Sequence, residues 1–515
     1  MLGALSVRGV RYVYVLDDGN RSSVRAIVEA AGARYVYRTN NLHAKAGNMN
    51  NGIKYSDAEF MVFLDCDHVP QPNFIERTSG YFNDERLAFV QIPQLFYNRD
   101  SIQFRKTHRR NLWNEQSMFY EAIQPSKNAY NAAFFCGSGS MLRRAAIDSI
   151  NGFATGTATE DIHTSLRLHA KGWRSLFLSE QLAHGIAAED LGEYHKQRVR
   201  WGAGSLGLLF RSPDSPLRAR GLTFAQRLCY FNSTISFLNG LQRLAYIILP
   251  AFILISLPFQ HQPPAVSLGS YALIALPFVI ISYVVTYIFS RRTFHPLYTE
   301  QFNIINIYCN ILAIKGIFNV QKKFKVSLKR RGSKNESSAY RVLLLMWAVT
   351  FIAAAAAPVH WYFGMQRSTA ELLRSAVAVS MLWNFINLYF ISSVIYFVNF
   401  HSERLSSEHA LTASEVLRPG VPGEQALQLE RVSLRGADVL SSRPLPAELR
   451  LAVNDSFLIS AQTIRSHRLK NGKYRTVLKF HNNSLADETK LTLFMFNRLV
   501  PKLFKDEYVI DIYNA

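Results

Sequence analysis

The stretch Phe60-Met61-Val62-Phe63-Leu64-Asp65-Cys66-Asp67-His68 decides the fold of the first two hundred residues. Five apolar residues read as a buried strand. The two carboxylates that follow, one residue apart, stand where the strand gives way to a turn. The same grammar occurs earlier, where Tyr12-Val13-Tyr14-Val15-Leu16 ends in Asp17-Asp18-Gly19. Between them, residues 22–31 and 45–55 carry helical patterns, and Arg34-Tyr35-Val36-Tyr37 reads as another strand. Strands alternating with helices predict a doubly wound α/β domain with a parallel sheet. Ligands of such sheets bind at the carboxyl ends of strands, which is where both acidic clusters lie.

Outward from this domain the composition changes. The chain has 515 residues, and its 49% hydrophobic content is concentrated between residues 225 and 400. Runs at 237–258, 267–289, 341–362 and 373–399 each approach the roughly 20 apolar residues that a helix needs to cross a bilayer. Asn239, Gln242 and Arg243 interrupt the first, and Gln226 to Asn239 reads as an interfacial helix. Gln301 to Val320 is a second amphipathic candidate. The last hundred residues are polar again. This order predicts a soluble domain over 1–220, a membrane domain over 221–400 and a small terminal domain over 401–515.

The formal net charge of +21 implies anionic partners. Lys322, Lys323, Lys325, Lys329, Arg330, Arg331 and Lys334 cluster between the second and third runs, while the opposite loops are nearly free of cations. The positive-inside rule then places 290–340 in the cytoplasm. An even number of spans puts both polar domains there too. No groove-reading motif accompanies the charge, so nucleic acid is not the expected partner. Cys66, Cys136, Cys229 and Cys309 include no C-x-x-C pair, which excludes a zinc ribbon or disulfide framework. The opening residues, Met1 to Ser6, lack the charged start and long apolar core of a signal peptide.

Within this frame certain residues carry chemistry. Asp65 and Asp67 are suited to share a divalent cation such as Mg²⁺, which prefers oxygen ligands and takes substrate phosphates. Asp17 stands where it can contact a nucleotide. In His43-Ala44-Lys45-Ala46-Gly47-Asn48, small residues permit close approach of a ligand and Lys45 supplies a point charge for a diphosphate. Glu160 and Asp161, after Thr159, sit at a predicted helix start, where a carboxylate is held ionised and serves as a general base. Gln197-Arg198-Val199-Arg200-Trp201 joins phosphate-clamping and sugar-stacking groups. Each motif alone has an ordinary explanation: an Asp-rich turn, a solvated lysine, a helix cap, an amphipathic surface helix. Their joint occurrence in one order does not.

That ordered set, with Phe134-Phe135-Cys136-Gly137-Ser138, resembles the bacterial cellulose synthase catalytic subunits, within the glycosyltransferase family that also holds hyaluronan and chitin synthases. The resemblance implies a GT-A type glycosyltransferase domain, a helical transmembrane channel and a C-terminal PilZ-like β-barrel. It implies a processive inverting enzyme that polymerises glucose from UDP-glucose into a β-1,4-glucan and passes it across the inner membrane beside a periplasmic, membrane-anchored accessory subunit. By resemblance Asp17 contacts the nucleotide, Asp65 and Asp67 serve metal and diphosphate, and Asp161 is the base. Gln197 and Arg200 meet the diphosphate, Trp201 stacks under the acceptor, and Cys136 lies near the acceptor end. Phe324, Val326, Ser327 and Lys329, near 322–334, are similar to the family's gating loop, with Ser327 in place of threonine.

The sequence departs from the family at two places. The chain starts at what would be the second strand of the sheet, without the preceding helices and a nucleotide-holding strand, as expected of a fragment or a misassigned start. In the tail, the cyclic di-GMP motifs align with Arg404 and with Ser433 and Gly436. Glu408 replaces the second arginine and Arg431 the leading acid, which argues against tight dinucleotide binding. A different β-glucan, a β-1,3- or mixed-linkage product, and an inactive membrane-bound fragment remain as alternatives.

Overall fold

The computed structural model describes all residues except 99–100, 107–111, 189, 257–266, 319–337, 365–369, 402–410, 413–415, 420–426, 434–435, 454–456, 470, 482–483 and 500–515. Phe324, Val326, Ser327 and Lys329, expected to form a gating loop, and also Arg404, lie outside this set.

The first two hundred residues build an α/β domain, but its sheet is mixed and divided. Four strands run in the order Arg174–Phe177, Leu87–Gln91, Ser140–Arg143, Phe60–Phe63. Arg174–Phe177 is parallel to Leu87–Gln91, whereas Ser140–Arg143 is antiparallel to both its neighbours. Tyr14–Asp17 and Arg34–Tyr37 form a separate parallel pair. The expectation of one parallel sheet is therefore corrected. Apolar runs mark which segments are strands but carry no direction. The reversal has a local cause in the fully buried Gln91. Its Oε1 accepts from the Cys136 amide at 2.8 Å and its Nε2 donates to the Ser138 carbonyl at 2.8 Å. The loop 134–139 is thereby held along the end of Leu87–Gln91, and Ser140–Arg143 must enter the sheet from the end where Asp65 lies.

One helix covers both sheet pieces. In Ala44–Ile53, Ala46, Met49 and Ile53 pack with Met61, Phe63, Phe89 and Leu142. On the same helix, Asn48 donates to the Leu16 carbonyl at 3.2 Å. The two acidic strand ends thus share one rigid support.

Four helices are long and apolar enough to cross a membrane, within Phe224–Ser256, Leu268–Phe289, Ser338–Pro358 and Arg374–Asn399. The first is two helices, Phe224–Ile235 and Asn239–Ser256, joined by a 3₁₀ turn at Ser236–Leu238; Asn239, Gln242 and Arg243 lie within the second helix. The amphipathic candidate beginning at Gln301 is the helix Pro296–Ala313. Its Phe302, Ile304, Ile305 and Ile307 are buried against Tyr194, Ile247, Leu343, Met346 and Ile391. It packs between Leu191–Phe210 and the helices Asn239–Ser256, Ser338–Gly364 and Ala370–His401.

The C-terminal residues form a seven-stranded antiparallel sheet in which Leu427–Val432 pairs with Leu411–Thr412, Val416–Pro419 and Gly436–Ser441. This sheet and its helix Leu485–Phe494 share a core with Tyr97. Gln71 donates to the Phe496 carbonyl at 3.0 Å, and the rings of Tyr97 and Phe496 meet edge to face at 5.0 Å.

Candidate active site

The site is built at the carboxyl ends of Tyr14–Asp17 and Phe60–Phe63. Lys45 reaches it from the start of Ala44–Ile53. The turn before this helix is left-handed at His43 (φ 61°) and Ala44 (φ 45°), a strained entry for residues with side chains. Arg38 over-determines it: bound to Asp18 at 2.5 and 2.9 Å, it also donates to the carbonyls of Leu42 and Ala44 at 2.6 and 2.8 Å. The chain is thus forced to aim Lys45 at the strand ends. Its Nζ lies 2.6 Å from Asp65 Oδ1 and 2.6 Å from the Gly137 carbonyl.

Gly137 is the meeting point. Its φ of +83° favours glycine, and a Cβ there would stand 3.3 Å from both Asp161 Oδ2 and Lys45 Nζ. Asp65, Lys45 and Asp161, from three separate stretches, therefore converge on one spot. Ser138 adds a hydroxyl that accepts from the Asp65 amide at 2.9 Å. Asp161 stands in the first turn of Glu160–Ala170, its Oδ1 accepting from the Ile162 amide at 2.8 Å. Burial raises its pKa, Glu160 raises it further, and Lys45 opposes both. Burial also works against the Lys45 charge, but Asp65, Glu160 and Asp161 outweigh it and hold the ammonium above its ordinary range.

The donor set fits a hard divalent cation. One ligand atom each from Asp65, Asp67 and His68 lie within 4.8 Å of one another. Burial lowers the His68 pKa to about 4, so the ring is neutral, and its Nε2 is buried without a partner. The Lys45 ammonium lies against Asp65 at 2.6 Å and already neutralises part of this corner.

The helix Leu191–Phe210 brings the remaining motif. Asp190 caps it by accepting from the Glu193 amide at 2.9 Å. At Gly204, one turn past Trp201, a Cβ would lie 2.9 Å from the backbone nitrogen of Thr159, so only glycine lets this helix press against the turn that precedes Asp161. Gln197, Arg200 and Trp201 are half-buried on it, and the Gln197 Oε1 has no partner. Arg198, which sequence reasoning passed over, is the organising cation. It pairs with Glu115 at 2.5 Å, both side chains 12% exposed, and lies over the rings of Trp201 and Tyr194 at 4.5 and 4.8 Å. Beyond it a cavity of about 170 Å³ opens between Leu191–Phe210, Asn239–Ser256 and Pro296–Ala313, lined by Arg198, Asn239, Arg243, Asn303, Asn306 and Asn310.

Two predicted residues already have partners within the chain. The Asp17 carboxylate accepts from Arg21, from Tyr35 Oη and from the amides of Gly19 and Arg21. Arg21 foremost holds its pKa well below the usual carboxylate range, so a ligand must displace that arginine to reach it. Cys136 is fixed through its carbonyl by Gln94 at 2.6 Å, and burial pushes its thiol far above the ordinary value. In the tail, Ser433 and Gly436 close a hairpin on themselves, the Ser433 amide donating to the Gly436 carbonyl at 2.8 Å. Arg431 turns to Asp438 at 2.8 Å.

Residues 1–204 match the family described as "Glycosyltransferase like family 2", and residues 149–359 match "Cellulose synthase". The "Cellulose synthase 1 catalytic subunit (UDP-forming)" of Komagataeibacter xylinus is 32% identical over 411 residues, covering 78% of this chain and 53% of that protein. The "Cellulose synthase catalytic subunit (UDP-forming)" of Pseudomonas fluorescens is 32% identical over 393 residues, covering 74% and 51%. The chain spans about half the length of these two relatives. Among solved structures, a mannosyltransferase from Pyrobaculum calidifontis in complex with GDP-Man and Mn²⁺ is 15% identical, covering 61% of this chain and 80% of that one, with a TM-score of 0.37, too low to carry an argument.

Proposed function

The chain is a relative of the bacterial cellulose synthase catalytic subunits, and from that premise we propose that it polymerises glucose from UDP-glucose into a β-1,4-glucan at this site, inverting the anomeric carbon at each transfer. The observation that carries the reading is the convergence of Lys45, Asp65 and Asp161 around Gly137.

In the proposed reaction the acceptor's terminal 4-hydroxyl attacks the anomeric carbon of UDP-glucose. Asp161 takes the hydroxyl proton as the new bond forms, and the bond to UDP breaks with its electron pair on the diphosphate. Attack opposite the leaving group gives a β-linkage. Desolvation makes the buried Asp161 carboxylate a stronger proton acceptor than an ordinary aspartate. Asp65 and Asp67, with His68, would hold Mg²⁺, whose charge stabilises the departing diphosphate. Lys45, Gln197 and Arg200 hold the diphosphate, Asp17 the nucleotide, and Trp201 the acceptor, with Cys136 and Glu160 at its edge.

The lengthening glucan leaves past Trp201 into the Asn-lined cavity, where amides and arginines meet sugar hydroxyls. Residues 1–220 then form the cytosolic catalytic domain and 221–400 an inner-membrane channel, with a gating loop near 322–334. Residues 401–515 form a PilZ-like domain, also cytosolic, for which cyclic di-GMP is the candidate activator and Arg404, Ser433 and Gly436 the candidate contacts. The external end of the channel faces a membrane-anchored accessory subunit.

The test is product analysis. The full chain in lipid nanodiscs, given radiolabelled UDP-glucose and Mg²⁺, is expected to yield an insoluble polymer degraded by a β-1,4-specific endoglucanase. A polymer degraded only by a β-1,3-glucanase overturns the linkage. No incorporation from UDP-glucose overturns the substrate.

A further inference from the structure

The base-bearing helix Glu160–Ala170 is held at both ends. Gly204 presses on its first turn. At its far end His169 is 1% exposed and stands between Tyr230 and Ser175. Tyr230 Oη is 2.7 Å from His169 Nδ1, His169 Nε2 is 2.9 Å from Ser175 Oγ, and Ser175 Oγ donates to the Ala133 carbonyl at 2.7 Å. The donors fix the direction of this chain. Because Ser175 spends its proton on Ala133, it accepts from an Nε2–H, which leaves Nδ1 to accept from the Tyr230 hydroxyl. Burial lowers the His169 pKa to about 3, so the ring stays neutral and keeps that tautomer.

Tyr230 belongs to Phe224–Ile235, the helix that leads into the first span. This helix is keyed to the catalytic domain by one face. Gln226 Nε2 donates to the Asn131 carbonyl at 2.9 Å, Tyr230 meets His169, and Lys127 Nζ donates to Ser233 Oγ at 2.6 Å. The spacing from Gln226 to Tyr230 to Ser233 is that of neighbours along one helical stripe. Phe224 and Leu228, 76% and 51% exposed, point elsewhere. Tyr230 also packs with Ile162, the residue after Asp161, and with Leu166 on the base-bearing helix.

We propose that the Tyr230–His169–Ser175 chain is a positioning device that locks the helix carrying Asp161 to the helix entering the membrane, so that Tyr230 and His169 are positioning residues for sugar transfer. The proposal rests on the reading of Asp161 as the base. Neither residue touches substrate. Each acts by fixing the angle at which Asp161 is presented, the kind of alignment on which transfer rates depend steeply.

The test uses the full chain in nanodiscs and the variant Tyr230→Phe, which removes one oxygen and leaves the ring packing. The expected result is a kcat about tenfold lower, with the KM for UDP-glucose within about twofold. Amide exchange should be faster across residues 160–170 but unchanged in Leu87–Gln91. His169→Asn, which keeps a short polar group toward Tyr230, should recover more activity than His169→Leu. An unchanged kcat, or unchanged exchange across 160–170, overturns the proposal. If the wild-type chain transfers no glucose, that failure belongs to the proposed function, and the exchange comparison still decides whether the link holds the helix.

Discussion

Lys45 Nζ and Asp65 Oδ1, twenty residues apart in the chain, stand 2.6 Å from each other, so an ammonium already occupies the corner where a metal-bound diphosphate is proposed to sit. Without the lysine, Asp65, Asp67, Glu160 and Asp161 would face one another with less neutralisation. Lys45→Met is therefore expected to strengthen Mg²⁺ binding in the absence of nucleotide. It should weaken UDP binding about tenfold, or ~1.4 kcal/mol. Calorimetric titration of each ligand separates the two effects.

The pH dependence follows from Asp161. Burial and Glu160 raise its pKa, and the proposed base must be ionised to take a proton, so turnover is expected to rise with pH through that raised value and fall in acid. Glu160→Gln removes one cause, and the acid limb of kcat should move to lower pH. Stability runs the other way. A carboxyl that holds its proton more tightly when folded contributes stability that is full below the ordinary carboxylate pKa and lost as pH rises through the raised one. Asp161→Asn, inactive, should melt no lower than the wild type at pH 8.

Arg198 and Glu115 are a buried pair, and removing one partner strands the other charge. Arg198→Met should destabilise the chain by about 3 kcal/mol and free the plane of Trp201. The double variant Arg198→Met/Glu115→Leu should regain most of the melting temperature but little of the polymer length. Melting of both variants beside product sizing checks this.

Gly204→Ala puts a methyl group 2.7 and 2.8 Å from the Thr159 side chain and 2.9 Å from its backbone nitrogen, so turning the side chain alone does not relieve the contact. A displacement of about 1 Å at a reacting group can reduce a rate about 100-fold. The variant is expected to keep UDP affinity within about threefold and to lose transfer on that scale, read as UDP release against UDP binding.

Much of this was legible in the sequence. Phe60–Phe63 followed by Asp65 and Asp67 revealed a strand end with clustered carboxylates, because burial demands apolar residues and a turn tolerates charge. The helices long and apolar enough to cross a membrane showed themselves as long runs with few charges. Strand direction did not, because Ser140–Arg143 is reversed by hydrogen bonds from Gln91, a contact between distant segments that no local pattern encodes. Arg198 was missed for a related reason: on a helix with charged neighbours a buried arginine and a solvated one read alike. The run Gly202-Ala203-Gly204-Ser205 did carry a usable signal, since so many small residues inside a helix mark a close approach. Asp17 reads in the sequence as a free strand-end carboxylate, and its bonds from Arg21 and Tyr35 are contacts that no local pattern encodes.

The most direct measurement pairs the rate of UDP release from UDP-glucose with UDP affinity in the presence of Mg²⁺, for the wild type and Asp161→Asn. The account predicts a rate lower by about 10²- to 10⁴-fold with affinity nearly unchanged. Turnover close to the wild-type rate would contradict it, because proton removal would then not depend on Asp161.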